Sequence, residues 1–262
     1  MRKKPTELFA EWNAAVAGQV EKGPTEKGYR DLVASMLDFD ALMVFEYGQA
    51  KAKAVYHHVA RERRKVIIDD YLQGPFLLDP FYAHSIVNPD SGLMVMRQLS
   101  PDRFQKSEFY RQHYHLTGIA DEIGIAFKAN KGASIVLSIT RNKDQRLFSA
   151  KEKALFESAA PVLSALGKKL WKNSAANSAP PRASLLESAF REFGRDILSK
   201  REVEIVLLIL KGHSSLSIGE VLNISPGTVK IHRKNVYAKL NISSQAELFN
   251  KFIGHLSESW RR

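Results

Sequence analysis

LSKREVEIVLLILKGHSSLSIGEVLNISPGTVKIHRKNVYAKLNISSQA, residues 198–246, holds three short helical patterns in succession, each with its own start and stop. Ser199 and Glu202 have the spacing of a capping box, in which each side chain satisfies a backbone donor at the helix start. Val203, Val206, Leu207 and Leu210 then recur at helical spacing, and Gly212 supplies a residue that tolerates the left-handed conformation ending a helix. A first helix is therefore predicted from about Lys200 to Lys211. Ser214 or Ser215 caps a second, shorter helix carrying Ile218, Val221 and Leu222, which Asn223 can close. Ser225 caps a third, with Pro226 at the first helical position, where its missing N–H costs nothing.

In this third helix Val229, His232 or Arg233, Val236 and Leu240 share one side and are expected to pack inward, leaving Lys230, Ile231 and Lys234 outward. No acidic residue occurs from Val221 through Ala246, whereas Lys230, Arg233, Lys234 and Lys239 all do. Such a surface carries positive potential and fits a polyanion.

The stretch resembles the LuxR-type helix-turn-helix. Its ordered pattern is matched by Leu198, Ser199, Arg201, Glu202, Glu204, Gly212, Ser214, Ile218, Leu222, Ile224, Ser225, Thr228, Val229, Lys230, His232, Asn235, Val236, Lys239 and Leu240. A pattern this long is far more specific than a short glycine motif. Ser217 stands where the family usually has Glu and Gly219 where it usually has Ala. Since Gly inside a helix costs up to about 1 kcal/mol relative to Ala, the scaffold helix is expected to be weaker than in relatives.

The resemblance implies that Lys230, Ile231 and Lys234 approach base edges in the major groove of double-stranded DNA, with Ser225, Thr228 and Lys239 near phosphates and His232 on the inner side. Physical chemistry agrees: Lys can donate to guanine acceptors, Ile can meet a thymine methyl, and hydroxyls and helix N-termini hold phosphates. Ser244 with Glu247 caps a last helix whose Leu248, Phe249, Phe252 and Ile253 form an apolar stripe. In relatives the fourth helix dimerises, so part of this stripe is expected to face a second subunit. A homodimer of that kind would read an inverted-repeat operator, and a regulator of this family implies RNA polymerase as a further partner.

Composition sets bounds on the alternatives. The chain has 262 residues, which suits two domains, and a formal net charge of +11, which favours an anionic partner. Cysteine is absent, excluding disulfides, thiolate metal sites and cysteine nucleophiles. The segment MRKKPTELFAEWN is basic without an apolar core of signal-peptide length, and no apolar run approaches the ~18 residues of a membrane span. A cytoplasmic protein is expected, with no membrane partner. No P-loop, nucleophile elbow, HExxH or Gly-rich dinucleotide turn occurs, so no enzyme and no cofactor are implied. The pairs His57-His58 and His113, His115 have spacings that do not chelate easily on a strand or a helix, so no metal is expected either.

The preceding half reads differently. Residues 5–20 place Leu8, Trp12, Ala15 and Val16 on one helical side, and Thr25 caps a helix with Tyr29, Leu32, Val33, Met36 and Leu37 inward. ALMVFEY (41–47) and AKAVYHHV (52–59) read as a hairpin, as do DEIGIAFKA (121–129) and ASIVLSITR (133–141) about Asn130-Lys131-Gly132. Between them, 61–72 and 100–116 look helical, while GLMVMRQ (92–98) fits a strand or an apolar loop. Ser149 with Glu152 caps a long helix, kinked or interrupted at Pro161.

The fold class is therefore α+β: an N-terminal α/β/α sensor with an antiparallel sheet of about five strands, then an all-α four-helix helix-turn-helix domain. The sensor is similar to GAF- and PAS-like domains and to the signal-binding half of LuxR-type quorum regulators, chiefly in YLQGPFLLDPFYAH (71–84), where Tyr71 and Asp79-Pro80 match the family's pocket tyrosine and Asp-Pro pair. The spacing is one residue short, and neither tryptophan of acyl-homoserine-lactone receptors appears near Val66 or Met94, so that ligand does not carry over.

Tyr71, Phe76, Asp79, Phe81, Tyr82, Asp121 and Glu122 are the ligand-binding candidates, since aromatic walls with a carboxylate suit a small molecule bearing a cationic or donor group. The alternative for the same residues is plain core with a helix cap. KNSAANSAPPRAS (172–184) has linker composition, giving a sensor at 1–171 and a DNA reader at 185–262. The overall reading is a transcriptional regulator controlled by a small molecule. The alternative is a response-regulator-like or ligand-independent regulator whose first half serves protein–protein interaction.

Overall fold

A run of apolar residues beginning at Ala41 starts a five-stranded sheet. The computed structural model describes residues 5–48, 52–128, 133–171, 192–194 and 196–259, without the side chains of 5, 6, 8 and 256–259. The expected linker at 172–184 and the turn Asn130-Lys131-Gly132 lie outside these residues. The chain groups into two units, one of residues 1–60, 85–95 and 120–180, the other of residues 61–84, 96–119 and 181–262.

In the first unit, α1 (Pro5–Lys22) and α2 (Glu26–Ala34) precede β1 (Ala41–Tyr47) and β2 (Ala52–His58). Thr25 caps α2 by accepting from the Gly28 N–H at 3.1 Å. The remaining strands are β3 (Gly92–Val95), β4 (Ile119–Lys128) and β5 (Ser134–Asn142), and the sheet order is β2-β1-β5-β4-β3. β1 pairs antiparallel with both β2 and β5, and β3 with β4. The ambiguous 92–98 segment thus begins as an edge strand and continues as a single helical turn, α4 (Met96–Leu99).

One face of the sheet, carrying Leu42, Val44, Ile123, Ile125, Ile135, Leu137 and Ile139, packs with Tyr29 and Leu32 of α2 and with Phe156 and Leu163 of α6 (Ala150–Leu170). Tyr29 ties these layers together: its hydroxyl donates to the Leu163 carbonyl at 3.1 Å, and its ring meets Trp171 edge-on at 5.0 Å. The predicted capping box at Ser149 and Glu152 is present, and α6 runs through Pro161 without interruption, unlike the break the sequence allowed for. Glu152 also binds the buried Arg141 at 2.9 Å, and that guanidinium, with help from Ser149, holds the carboxyl down at about 2. On the opposite face, Met43, Phe45, Tyr47, Val136 and Ser138 are buried too.

The second unit contains helical segments from the middle of the chain. Residues 65–70 form a wide π turn rather than the α-helix expected over 61–72, followed by a tight turn at Tyr71–Gln73. Gly74, at φ 136°, ends it in a conformation only glycine tolerates readily. α3 (Pro80–Val87) begins at the Asp-Pro pair. The 100–116 segment is a 3-10 turn, a short helix α5 (Glu108–Gln112) capped by Ser107, and a second 3-10 turn closed by Gly118 in the left-handed conformation.

The reader completes this unit with α7 (Lys200–Lys211), α8 (Ser215–Leu222), α9 (Pro226–Lys239) and α10 (Gln245–Ser259). Every cap predicted here is formed: the Ser199–Glu202 box, Gly212 at φ 98°, Ser214, Asn223 at φ 53° and Ser225. The buried face of α7 is Glu202, Ile205, Val206, Ile209 and Leu210. The expected stripe included Val203 and Leu207, which are only half-buried, because a run of six apolar residues (205–210) leaves the periodicity free to rotate by one position. In α8, Ile218 and Gly219 are buried, whereas Val221 is exposed.

Candidate nucleic-acid interface and ligand-binding cluster

Val229 and Val236 anchor α9 by their complete burial, and the caps at Ser225 and Asn223 fix its angle to α8. That geometry turns Lys230, Ile231 and Lys234 to solvent, with Ile231 62% exposed, a value that sets it apart from an inward-facing isoleucine. Asn235 is exposed at the next step of the same face, four residues after Ile231, and was missed by the sequence reading although its spacing places it there. An Asn can read adenine through two hydrogen bonds, so it completes a face of donors, acceptor and apolar surface. His232 is half-buried, in keeping with an inner position.

At the start of α9 the Ser225 hydroxyl accepts from the Thr228 N–H at 3.0 Å and pairs with the Thr228 hydroxyl at 2.8 Å. Both side chains therefore sit at the positive end of the helix dipole, where phosphate oxygens are favoured. Arg233, by contrast, is drawn into the domain, donating to the Tyr237 hydroxyl and to Gln245 at 3.1 and 3.3 Å. Lys239 likewise has a partner: its ammonium donates to Glu202 at 2.7 Å. Burial would raise the Glu202 carboxyl, but Lys239 and Ser199 outweigh it and leave the carboxyl below its ordinary range. Of the six residues expected to touch DNA, Lys239 is thus the one committed to tying α9 to α7.

The apolar stripe of α10 also differs from expectation. Leu248, Phe249 and Phe252 are buried within the single chain, and only Ile253 is half-buried. α10 packs on α7 and α5, and Phe193 meets Phe252 edge-on at 5.5 Å. The middle segment of the chain thus enlarges the core under α10, and most of the predicted subunit face is covered within the chain.

The other candidates fall in two places. In the second unit, the Tyr71 hydroxyl donates to one oxygen of Asp79 at 2.7 Å, while the other oxygen accepts from the Phe81 N–H at 2.7 Å. Phe76 stands between Tyr71 and Tyr82, with ring centroids 6.2 and 5.2 Å away, and Phe81 is fully buried beside them. Burial pushes the Asp79 carboxyl up to about 6 despite the hydrogen bonds from Tyr71 and Phe81 that oppose it. His113 joins this group unannounced by any sequence signal, its ring 5.7 Å from Tyr71, and burial pulls its pKa down to about 4, leaving it neutral.

Asp121 and Glu122 lie in the first unit, adjacent on β4 and therefore on opposite faces of the sheet. Asp121 accepts from the Phe148 N–H at 2.8 Å on the helix-covered face. Through this bond it anchors the chain entering α6. Glu122 accepts from the Ser138 hydroxyl at 2.7 Å on the other face. Among the described residues no group of three or more His, Asp or Glu is arranged to hold a metal ion, and no helix is long and apolar enough to cross a membrane.

Comparison with known proteins finds relatives of both halves of the chain. Residues 196–252 match the family described as bacterial regulatory proteins, luxR family. Over 187 residues the chain is 33% identical to an HTH-type transcriptional regulator assigned in the exeN 3′ region of Aeromonas salmonicida, covering 68% of this chain and 94% of that one. The response regulator UvrY of Escherichia coli is 45% identical over 58 residues, but these are only 22% of this chain and 27% of its own. Among solved structures, the LBD domain of VqsR from Pseudomonas aeruginosa has a similar fold, with a TM-score of 0.51 at 22% identity over 61% of this chain and 95% of that one.

Proposed function

The chain belongs to the LuxR family of bacterial regulatory proteins and is a DNA-binding transcriptional regulator, and on that premise we propose that a small molecule held near Tyr71 and Asp79 governs its DNA binding. The base-reading residues in this proposal are Lys230, Ile231 and Lys234, with Ser225 and Thr228 on phosphates. The observation behind the DNA-reading part is the outward row on α9, set by two buried valines in a stretch, 221–246, that has no Asp or Glu of its own. Lys234→Ala should lower discrimination between the operator and a scrambled duplex by roughly fivefold to 150-fold, the worth of ~1 to 3 kcal/mol for one good base contact. Gel-shift titration measures this, and undiminished selectivity would remove Lys234 from the reading face.

For the ligand, a buried carboxylate paired with a tyrosine hydroxyl inside aromatic walls suits a molecule with a cationic or hydrogen-bond-donating group. Titration calorimetry with amines and amino acids on the wild type and on Asp79→Ala tests it, the expected result being binding that the substitution abolishes. Binding restricted to neutral lipids would count against this chemistry. One observation favours a ligand-independent second reading: both Asp79 oxygens already have partners within the chain, as a purely structural helix cap would. Dimerisation on an inverted-repeat operator, with Ile253 at the edge of the contact, and recruitment of RNA polymerase complete the proposal.

A further inference from the structure

The turn between α7 and α8 is gripped by the middle of the chain. Arg103 donates its N–H to the Gly212 carbonyl at 3.0 Å, and Asp102 accepts the Ser214 N–H at 3.0 Å. Approach is close enough that a Cβ on Gly212 would lie 3.0 Å from the Phe104 Cα and 3.1 Å from the Ser107 Cβ. The gripping segment is itself stiff: the Phe104 ring packs on Phe109, Tyr110 and Tyr114 at 5.6 to 5.9 Å, and α5 packs on both α7 and α10.

Ser214 is the cap of α8, the first helix of the helix-turn-helix. In such motifs the first helix crosses the phosphate backbone of the duplex. A carboxylate fixed at its amino end therefore opposes the polyanion with like charge and occupies a backbone donor at the same time. We propose that Asp102 is an in-chain competitor of DNA, and that residues 101–107 form a clasp that weakens duplex binding while closed. This rests on the DNA-binding role of α8 and α9 and is independent of any ligand near Asp79.

The test uses the full chain with Asp102→Ala and Asp102→Asn. Hydrogen exchange of the peptide spanning residues 211–217 should be faster in Asp102→Ala than in the wild type, and identical exchange would overturn the clasp. Affinity for a random-sequence duplex in dilute salt should rise about fivefold in Asp102→Ala, the scale of one contact between unit charges in water. Equal or weaker binding would overturn its inhibitory sense. Asp102→Asn keeps an acceptor toward Ser214, guarding the fold, and should gain affinity through loss of charge alone. The absence of that gain in a normally folded protein would likewise overturn the proposal.

Discussion

Gly219 lies inside α8, where propensity alone counts against it by up to about 1 kcal/mol relative to Ala. Packing reverses that judgement. The chain folds back sharply after α8, with the Ile224 N–H donating to the Gly219 carbonyl at 2.9 Å, and a Cβ at 219 would lie only 2.7 Å from the Ile224 carbonyl oxygen. Backbone cannot swing aside as the tip of a side chain can, so an added methyl forces the turn open and with it the angle at which Pro226 starts α9. Gly219→Ala should therefore destabilise the protein by about 1 to 3 kcal/mol, the usual cost of overpacking, rather than stabilise it. Urea unfolding of the full chain measures the sign, and a higher midpoint for the alanine variant would show that the turn relaxes freely.

At the scale of the element, what could be read from the sequence was what local chemistry decides. Ser199, Gly212, Ser214, Asn223 and Ser225 each act within a few residues, and both ends of α7 and α8 and the start of α9 followed from them. The longer strands were nearly as plain, from the continuous apolar run at 41–45 and the alternation of Ile123, Ile125 and Phe127, whereas the short edge strand at 92–95 was left open. What failed depended on distant contacts. The α7 stripe was rotated because six consecutive apolar residues carry no phase, and the π turn at 65–70 is set by tertiary context, including the Arg63 guanidinium donating to the Thr117 carbonyl at 2.6 Å. His113 entered the Tyr71 cluster from more than forty positions away in sequence, with no local mark to announce it. Asp121 and Glu122 were grouped together, although adjacent strand residues point to opposite faces of a sheet.

For the whole molecule, the consequence is that residues 185–262, which read as a separable domain, belong in contact terms to a unit that also takes in 61–84 and 96–119. α5 covers parts of α7 and α10, and Asp102 and Arg103 supply two hydrogen bonds to the reader's first turn. Cutting the chain at Ser184 removes all of this. Two lost hydrogen bonds at ~0.5 to 1.5 kcal/mol each, together with apolar surface uncovered on α7 and α10, give a deficit of about 2 kcal/mol or more. In a domain of this size about 1 kcal/mol shifts the melting temperature by ~4 to 8 °C, so the 184–262 fragment should melt roughly 10 °C or more below the second unit within the full chain. It should also associate in a concentration-dependent way, since uncovered apolar faces seek another surface. Thermal melts by circular dichroism and sedimentation velocity over a range of concentrations test both. A fragment that stays monomeric and melts with the full chain would mean that α5 merely rests against the reader, and the stripe of α10 would then be closed by α7 and Phe193 alone.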